Sequence, residues 1–335
     1  MIRIGLIGAG WVTQHHLDAY QNLTERVQVV AIADLSADAR NARAKTYGIP
    51  KTYADAAEMI AREALDAVDI ATPRATHVAM CRLAAAKRLP ILCQKPLAPT
   101  YEQARALVSE LPQGVRLMVH ENWRFRPHYR QIRQWLDESR VGPVRQALMT
   151  IFTSGLLPDA DGRLPAAARQ PFFASEERLL LMEVMIHHVD TLRFLLGSLA
   201  LDGARLGHAC PRVRGEDRAT LMMSSPQGAA VLLTGDFMAT GYPAAQFDRL
   251  EIFGEKGTIR LSGTTLELIG AEPITREIDL DVNYKASYRR TISHFLDCLA
   301  SGAPFETSPA DNLETLRLIE EAYARGQSIS PPRRP

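Results

Sequence analysis

A glycine turn near the N-terminus constrains the fold more than any other stretch of the chain. An apolar run over Ile2–Ile7 is followed by Gly8-Ala9-Gly10, and a helical pattern then continues to Tyr20. This order predicts a strand, a tight turn and a helix whose free N–H groups and dipole would bind a pyrophosphate. Gly8 would allow the turn, and Gly10 would let the backbone approach the phosphates.

The context of this turn favours a dinucleotide site, although Thr13 stands where the motif usually has its third glycine. A second apolar run, residues 27–33, ends at Asp34, 24 residues after Gly10, where a carboxylate would bind an adenosine ribose. No arginine directly follows Asp34, which favours NAD over NADP because a carboxylate repels a 2′-phosphate; Arg40 weakens this preference only slightly. The alternative interpretation is a glycine turn that opens some other α/β domain.

The composition excludes several classes of protein. The chain has 335 residues, a formal net charge of +1 and 46% hydrophobic residues, so neither nucleic acid nor an anionic membrane is an expected partner. Its four cysteines lack C-x-x-C spacing, as is typical of small core residues in a reducing compartment. We see no N-terminal leader and no apolar run near the roughly 18 residues of a membrane span, and we therefore expect a cytoplasmic protein.

Two patterns of predicted elements divide the chain. Residues 1–120 alternate apolar strands with amphipathic helices, among them Ala37–Tyr47 before Gly48 and a helix behind Thr100. This predicts an α/β fold, with a Rossmann domain of doubly wound parallel sheet over residues 1–122. The second domain, residues 123–330, is predicted to be α+β with an open, mostly antiparallel sheet. Its predicted elements are a helix (126–140), a long strand (143–154), an irregular loop (155–177), a second helix (182–196), alternating strands (199–269) and two helices (284–301 and 309–324) that could pack back on the first domain.

A lysine stands at the carboxyl end of the fifth predicted strand, in Gln94-Lys95-Pro96. Ligands bind at this end of open parallel sheets, and Pro96 restricts Lys95 to an extended backbone. Lys95 could donate a hydrogen bond to a reacting hydroxyl and stabilise an alkoxide. Without further context, a surface lysine ahead of a turn proline is the better explanation of the pattern.

The helix predicted over residues 182–196 carries polar residues on an apolar background. Glu183, His187 and Asp190 stand at i, i+4 and i+7, so they are expected to share one face. Their burial is costly unless they face a cavity or partners. A histidine can accept a hydroxyl proton while hydride leaves for a nicotinamide. The absence of H-E-x-x-H and the nearby Lys95 argue against a metal site; the alternative is a set of core histidines with satisfied hydrogen bonds.

The chain resembles the Gfo/Idh/MocA family of NAD(P)-dependent sugar and polyol oxidoreductases over essentially its whole length. The similar motifs are Gly8-Ala9-Gly10 with His16, Asp34, Ala71-Thr72-Pro73 with His77, Lys95-Pro96, Trp123-Arg124-Phe125 with Pro127, and the helix with Glu183, His187 and Asp190. Three positions depart from the family pattern: Gln94 replaces Glu, Met185 replaces Gly, and Glu183 replaces Asp. These changes affect the position of the substrate more than the chemistry.

The resemblance implies a role for each of these residues. Lys95 and His187 would be the catalytic pair, and Glu183 and Asp190 would bind the substrate. The cofactor, NAD, would be bound by Gly8, Gly10, Trp11, Val12, Asp34, Thr72, Pro73, His77 and Lys95, with no metal. Family members are commonly dimers or tetramers, so a homodimer or homotetramer is expected.

Four short stretches, residues 94–96, 120–125, 170–172 and 176–178, are similar to those of D-apiose dehydrogenases and neighbouring sugar dehydrogenases. This similarity implies a carbohydrate substrate and the oxidation of an aldose to a lactone. His120, Asn122 and Arg124 follow the sixth strand, where they would bind sugar hydroxyls or simply form a capped loop. The alternative functions are another sugar, polyol or inositol dehydrogenase, an NAD-dependent glycosidase, and a non-catalytic NAD-binding sensor.

Overall fold

A computed structural model describes residues 1–245 and 248–329, which form two compact units. Unit 1 comprises Met1–Pro127 and Asp281–Leu316. Unit 2 comprises the described residues of His128–Leu280 and those from Arg317 onward. The chain thus leaves unit 1, forms most of unit 2, returns to unit 1 and then enters unit 2 again.

The strands of unit 1 form one parallel sheet. They are β1 (Ile2–Ile7), β2 (Val27–Ala33), β3 (Lys51–Tyr53), β4 (Ala67–Ile70), β5 (Ile91–Gln94) and β6 (Leu117–His120), in the order β3-β2-β1-β4-β5-β6. From β1 the chain adds strands in one direction across the sheet, as far as β3, and then in the other direction, from β4 to β6. The strand order therefore reverses between β1 and β4, and doubly wound sheets bind ligands at this point, beyond the carboxyl ends of the strands. The predicted Rossmann fold is confirmed.

The described chain forms ten α-helices, some of which begin at caps that the local sequence supplies. They are α1 (Thr13–Gln21), α2 (Ala37–Tyr47), α3 (Ala56–Arg62), α4 (His77–Ala86), α5 (Tyr101–Glu110), α6 (Pro127–Asp137), α7 (Pro165–Arg169), α8 (Ile186–Leu196), α9 (Leu280–Ser301) and α10 (Pro309–Arg325). The side chains of Ser36, Asp55 and Thr100 accept hydrogen bonds from the first turns of α2, α3 and α5. Gly48 ends α2 in the left-handed region, with φ of 68°.

One apolar cluster of unit 1 combines the early strands with a late helix. Ile4 of β1, Leu92 of β5 and Met118 of β6 pack with Tyr288 and Phe295 of α9. All five side chains are buried. Because apolar burial is the main stabilising contribution to folding, α9 is part of the hydrophobic core of unit 1 and not an appendage to it.

The strands of unit 2 form one nine-stranded sheet. They are β7 (Val144–Phe152), β8 (Ala200–Gly207), β9 (Arg218–Ser224), β10 (Ala230–Asp236), β11 (Arg249–Gly254), β12 (Gly257–Ser262), β13 (Thr265–Gly270), β14 (Ile274–Glu277) and β15 (Gln327–Ile329), in the order β14-β13-β12-β11-β7-β10-β9-β8-β15. Only the β7–β10 and β8–β15 pairs are parallel among the described residues. The predicted open, mostly antiparallel sheet is confirmed.

The two faces of the nine-stranded sheet differ in exposure. On β7, Met149 and Ile151 are fully buried, whereas Leu148 and Thr150 alternate with them and are half-buried. In the same cross-strand row as Leu148 lies Met222 of β9, which is 57% exposed. One face therefore belongs to the core of unit 2, and the other carries apolar side chains that the described chain leaves uncovered.

The structure refines two segments of unit 2 that the sequence predicts only coarsely. The irregular loop over residues 155–177 contains the short helix α7 and a 3₁₀ turn at Pro171–Ala174. The helix predicted over residues 182–196 is two elements, a π-helical turn at Leu180–Met185 and then α8, which ends at Gly197 as expected. Among the described residues, none of the helices has the length and hydropathy to cross a bilayer.

Candidate active site

The glycine turn after β1 has the geometry that a bound pyrophosphate requires. Gly8 has φ of +106°, and a Cβ built on it would lie 2.5 Å from the carbonyl oxygen of Ala71, so only glycine fits. A Cβ built on Gly10 would meet no atom within 4 Å, which leaves the backbone open to a ligand. The turn is followed by Trp11, which is 41% exposed, and by Val12, which is the N-cap of α1.

Thr13 stabilises the turn at the position of the missing third glycine. Its side chain is fully buried, and its hydroxyl donates a hydrogen bond to the carbonyl oxygen of Gly8 at 3.1 Å. The hydroxyl thus satisfies a carbonyl inside the turn, and the departure from the glycine motif is compatible with a cofactor site.

Asp34 connects the end of β2 to the glycine turn. Its carboxylate accepts hydrogen bonds from the backbone N–H of Ala9 at 2.7 Å and of Ser36 at 2.8 Å. Two arginines of α2 flank the same region: Arg40 donates to the carbonyl oxygen of Asp34 at 3.1 Å, and Arg43 donates to that of Gly10 at 3.1 Å. Arg43 was missed in the sequence, because only its spacing of one helical turn from Arg40 pointed to it.

The ends of β4 and β5 are joined by His77, at the start of α4. One ring nitrogen lies 2.9 Å from the carbonyl oxygen of Thr72 and the other 2.7 Å from that of Pro96. The side chain is 1% exposed. His77 therefore positions the Thr72-Pro73 and Lys95-Pro96 loops, at the edge of the sheet where Lys95 is half-buried.

A buried polar network lies beneath Lys95, and little in the sequence indicates it. Asp69 of β4 contacts His16 of α1 at 2.8 Å and accepts a hydrogen bond from Tyr20 at 2.9 Å. Gln94 of β5 lies 2.8 Å from His16 and 3.2 Å from His120 of β6. The one available signal was Asp69 itself, a carboxylate inside an otherwise apolar strand.

The residues that follow β6 are buried within unit 1. Asn122 donates to the hydroxyl of Ser287 in α9 at 2.8 Å. Arg124 donates to Asp311 of α10 at 2.8 Å and is 4% exposed. These contacts anchor the loop to the C-terminal helices of unit 1, which is the role that the capped-loop alternative gave them.

Unit 2 carries Glu183 in the π-helical turn and His187 and Asp190 in α8. Glu183 is half-buried, His187 is 7% exposed and Asp190 is fully buried. A turn of π-helix inside a longer helix is rare and is found frequently at functional sites. The three residues thus lie along one helical segment whose pitch changes between Glu183 and His187.

Two buried carboxylates hold this helical segment in unit 2. Glu216 accepts hydrogen bonds from the backbone N–H groups of Leu179 at 3.2 Å and Leu181 at 2.9 Å, and from the hydroxyl of Tyr323 at 2.7 Å. Burial raises the pKa of the Glu216 carboxyl. Asp248 contacts His188, next to His187, at 2.8 Å. Sequence reasoning missed both, since each acts on a segment far away along the chain.

Comparison with known proteins agrees with this geometry. Residues 2–121 match the model of an oxidoreductase family with an NAD-binding Rossmann fold, and residues 129–260 match the GFO/IDH/MocA C-terminal domain. The chain belongs to the Gfo/Idh/MocA family. It is accordingly an NAD-binding oxidoreductase of a family of sugar and polyol dehydrogenases, as the motifs predict.

Two curated members of the family are similar over nearly the whole chain. The D-apiose dehydrogenase of Rhizobium rhizogenes is 31% identical over 97% of this chain and 96% of its own length. That of Paraburkholderia graminis is 30% identical over 95% of this chain and 86% of its own. An oxidoreductase from Agrobacterium radiobacter, solved in complex with NAD+, L-tartaric acid and magnesium, superposes with a TM-score of 0.89 at 29% identity, covering 97% of this chain and 96% of that one.

Membership of this family agrees with the residues that would hold NAD. The turn at Gly8 and Gly10 offers open backbone, and Asp34 ends the strand next to it. Within the described part of the chain, no cluster of three or more histidine, cysteine, aspartate or glutamate side chains has the arrangement of a metal site. The residues present therefore fit the dinucleotide that the family binds.

Proposed function

We propose that the protein oxidises a hydroxyl of a free sugar with NAD, and that the substrate is an aldose similar to D-apiose, converted to its lactone. The similarity to two D-apiose dehydrogenases over nearly the full chain carries this proposal. NAD, when bound, supplies the hydride acceptor. The residues of this chain would bind the sugar, orient the reacting hydroxyl and remove its proton.

The proposal assigns the proton to His187. Oxidation of an alcohol breaks one C–H and one O–H bond; the hydride goes to the cofactor, and the O–H proton needs a base. A neutral imidazole at position 187 would accept it, and Lys95 would donate a hydrogen bond to the same oxygen as its negative charge develops. The half-buried side chain of Lys95 and the 7% exposure of His187 support this, because partial burial strengthens such interactions.

Glu183 and Asp190 complete the proposed substrate site. Carboxylates accept hydrogen bonds from sugar hydroxyls and would fix which carbon reacts. Glu183 is one methylene longer than the Asp of the family pattern, so it would contact a hydroxyl further from the helix axis. We assign His120, Asn122 and Arg124 the shaping of the loop after β6, because their contacts with Gln94, Ser287 and Asp311 occupy them inside unit 1.

We propose NAD as the preferred cofactor. Asp34 holds a carboxylate at the end of β2, where it would accept hydrogen bonds from both ribose hydroxyls and repel a 2′-phosphate. Arg40 and Arg43 act in the opposite direction, but both donate hydrogen bonds to backbone carbonyl oxygens. The charge of Asp34 therefore dominates the preference.

We also propose that the protein is a homodimer or homotetramer associated through the half-exposed face of the nine-stranded sheet. Leu148, Met222 and Leu232 form an apolar row on that face, and Arg260 pairs with Glu251 at 2.9 Å beside it. Apolar patches rimmed by charges are typical of interfaces.

The buried free thiols of Cys81, Cys93, Cys210 and Cys298 support a reducing compartment, the cytoplasm.

The test is NADH formation by the purified protein with NAD or NADP and a panel of free aldoses, polyols and inositols that includes D-apiose. Strong NADH production with D-apiose supports the whole proposal. Activity with another sugar or inositol alone would keep the chemistry and overturn the substrate. Binding of NAD without turnover of any free sugar, followed by cleavage of glycosides without accumulation of NADH, would replace the proposal with the glycosidase; binding without either reaction would leave the sensor.

A further inference from the structure

Gln94 makes three hydrogen bonds that fix the orientation of its amide. Its side chain, 7% exposed, lies at the carboxyl end of β5. The backbone N–H of Lys95 donates to Oε1 of Gln94 at 3.0 Å. Since a backbone N–H can only donate, the oxygen occupies that side, and the NH₂ group points to the two histidine rings.

The amide dictates the protonation of both histidines. Its two N–H bonds are directed at Nε2 of His16, 2.8 Å away, and Nδ1 of His120, 3.2 Å away, so both ring nitrogens must be unprotonated acceptors. Nδ1 of His16 lies 2.8 Å from the carboxylate of Asp69 and carries the proton of that ring. The proton of His120 is therefore on Nε2, and each imidazole is neutral.

The stacking of the two rings agrees with this assignment. The imidazoles of His16 and His120 are 4.3 Å apart between centroids and 30° from parallel, and both side chains are fully buried. Two imidazolium cations at that distance would repel each other strongly in a buried, low-dielectric environment. Two neutral rings pack there without that cost.

Titratable and charged groups on several elements face the network. They are His15 and Tyr20 on α1, Asp69 on β4, Cys93 and Lys95 at the end of β5, Glu121 and Arg126 after β6, and Tyr288 on α9. Burial raises the pKa of Tyr20, Cys93 and Tyr288 well above their ordinary values. Burial lowers the pKa of the His15 imidazole.

We propose that Gln94 is a positioning residue that holds His16 and His120 as neutral rings of fixed tautomer beneath Lys95. A carboxylate, the residue of the family pattern at this position, can only accept hydrogen bonds when ionised. It would require a proton on Nε2 of His16 and on Nδ1 of His120. With Asp69 also accepting from His16, that ring would become an imidazolium, and His120 would change tautomer. Gln94 thus removes one titrating proton from the surroundings of the catalytic lysine.

The first test reads the protonation directly and does not depend on the proposed function. The protein, labelled with ¹⁵N in its nine histidines, is followed by long-range ¹H–¹⁵N NMR from about pH 5.5 to about pH 8.5, where an unperturbed histidine titrates. His16 and His120 are assigned by single substitution to Gln. The proposal expects each ring to have one protonated and one unprotonated nitrogen at neutral pH, Nδ1–H in His16 and Nε2–H in His120. A doubly protonated His16 in the wild type at neutral pH would overturn it.

The second test compares Gln94→Glu with Gln103→Glu, the same change at an exposed position of α5. The proposal expects Gln94→Glu to add one proton, seen as an imidazolium at His16 and a proton moved to Nδ1 of His120, and the control to leave both spectra unchanged. The pH dependence of kcat/KM is a readout that rests on the proposed function. It should show one further ionisation in Gln94→Glu and none in the control. Unchanged histidine spectra in a folded Gln94→Glu protein would contradict the inference, whereas absent turnover with the expected spectra would count against the proposed function alone.

Discussion

The sulfur of Met185 fills the space above the α-carbon of Gly235. A Cβ built on Gly235, one residue before the end of β10, would come within 2.9 Å of the Met185 Sδ, at the end of the π-helical turn. Met185 is the position at which this chain departs from the glycine of the family pattern, and it is fully buried. The absence of a side chain at Gly235 therefore leaves room for the side chain of Met185. This contact packs the helical segment that carries His187 against β10.

We expect Gly235→Ala to destabilise the protein by about 1–3 kcal/mol, because the added methyl group would overpack this contact. In a Met185→Ala background the same change should cost less, since the sulfur is gone. A double-mutant cycle from urea unfolding measures the difference as a coupling energy. Gly203→Ala in β8, where a Cβ would meet nothing within 4 Å, is the matched control. Equal costs of Gly235→Ala in both backgrounds would refute the packing argument.

A second prediction concerns Glu216, whose burial raises the pKa of its carboxyl above the ordinary value of 4.5. The folded state then binds the proton more tightly than the unfolded state does. This contribution to stability is fully present below about pH 4.5 and is lost as the pH rises through the raised folded pKa. In Glu216→Gln, the free energy of unfolding should no longer fall for this reason as the pH rises from about 4.5 through the folded pKa of Glu216.

The control for this prediction is Glu177→Gln, an exposed glutamate close by in unit 2. It should leave the pH dependence of unfolding as in the wild type. Below about pH 4.5, where the wild type has lost none of this contribution, Glu216→Gln should also lower stability by about 1 kcal/mol, because one backbone N–H at the start of the helical segment would face the new NH₂ group. A pH dependence that survives Glu216→Gln would show that burial of this carboxyl does not affect stability.

The elements that sequence predicted well depend on local signals. The bounds of α2 and the start of α5 followed from Gly48 and from the Thr100 cap, which act within one turn of the residues they order. The proposed role of Asp34 in cofactor binding rests on the same kind of signal, because the strand–turn–helix unit fixes its spacing from Gly10.

The features that sequence reasoning missed depend on partners far apart along the chain. Asp69 and His16 are 53 residues apart, and nothing in either neighbourhood shows that a buried strand carboxylate will meet a helix histidine. The π-helical turn begins in a run of consecutive apolar residues, Leu179–Met182, which fits any helical pitch equally well. The assignment of Lys95 and His187 came from the family resemblance, because local pattern alone did not separate a catalytic lysine from a surface one.

A third prediction follows from the position of Asp34. We expect Asp34→Asn to keep the hydrogen bond from the N–H of Ala9, which an amide oxygen can accept, while it removes the charge that repels a 2′-phosphate. The preference for NAD over NADP, as a ratio of kcat/KM values, should fall by about tenfold or more, which corresponds to about 1.4 kcal/mol. Asp38→Asn, an exposed change of equal charge on α2, should leave the ratio unaltered. A ratio unchanged by Asp34→Asn would remove Asp34 from the basis of cofactor choice.

The last prediction tests the proposed catalytic pair. Positioned acid–base groups contribute about 10²–10⁴-fold to rate, so His187→Ala and Lys95→Ala should each lower kcat by that order. His187→Ala should leave the affinity for NAD unchanged, since His187 is proposed to act on the hydroxyl proton only. Added imidazole should restore part of the activity of His187→Ala, because it replaces the missing base; a merely structural role would not respond. Lys45→Ala, an exposed lysine of α2, serves as the control and should retain wild-type turnover. Turnover close to that of the wild type in both alanine variants would exclude the pair from the chemistry.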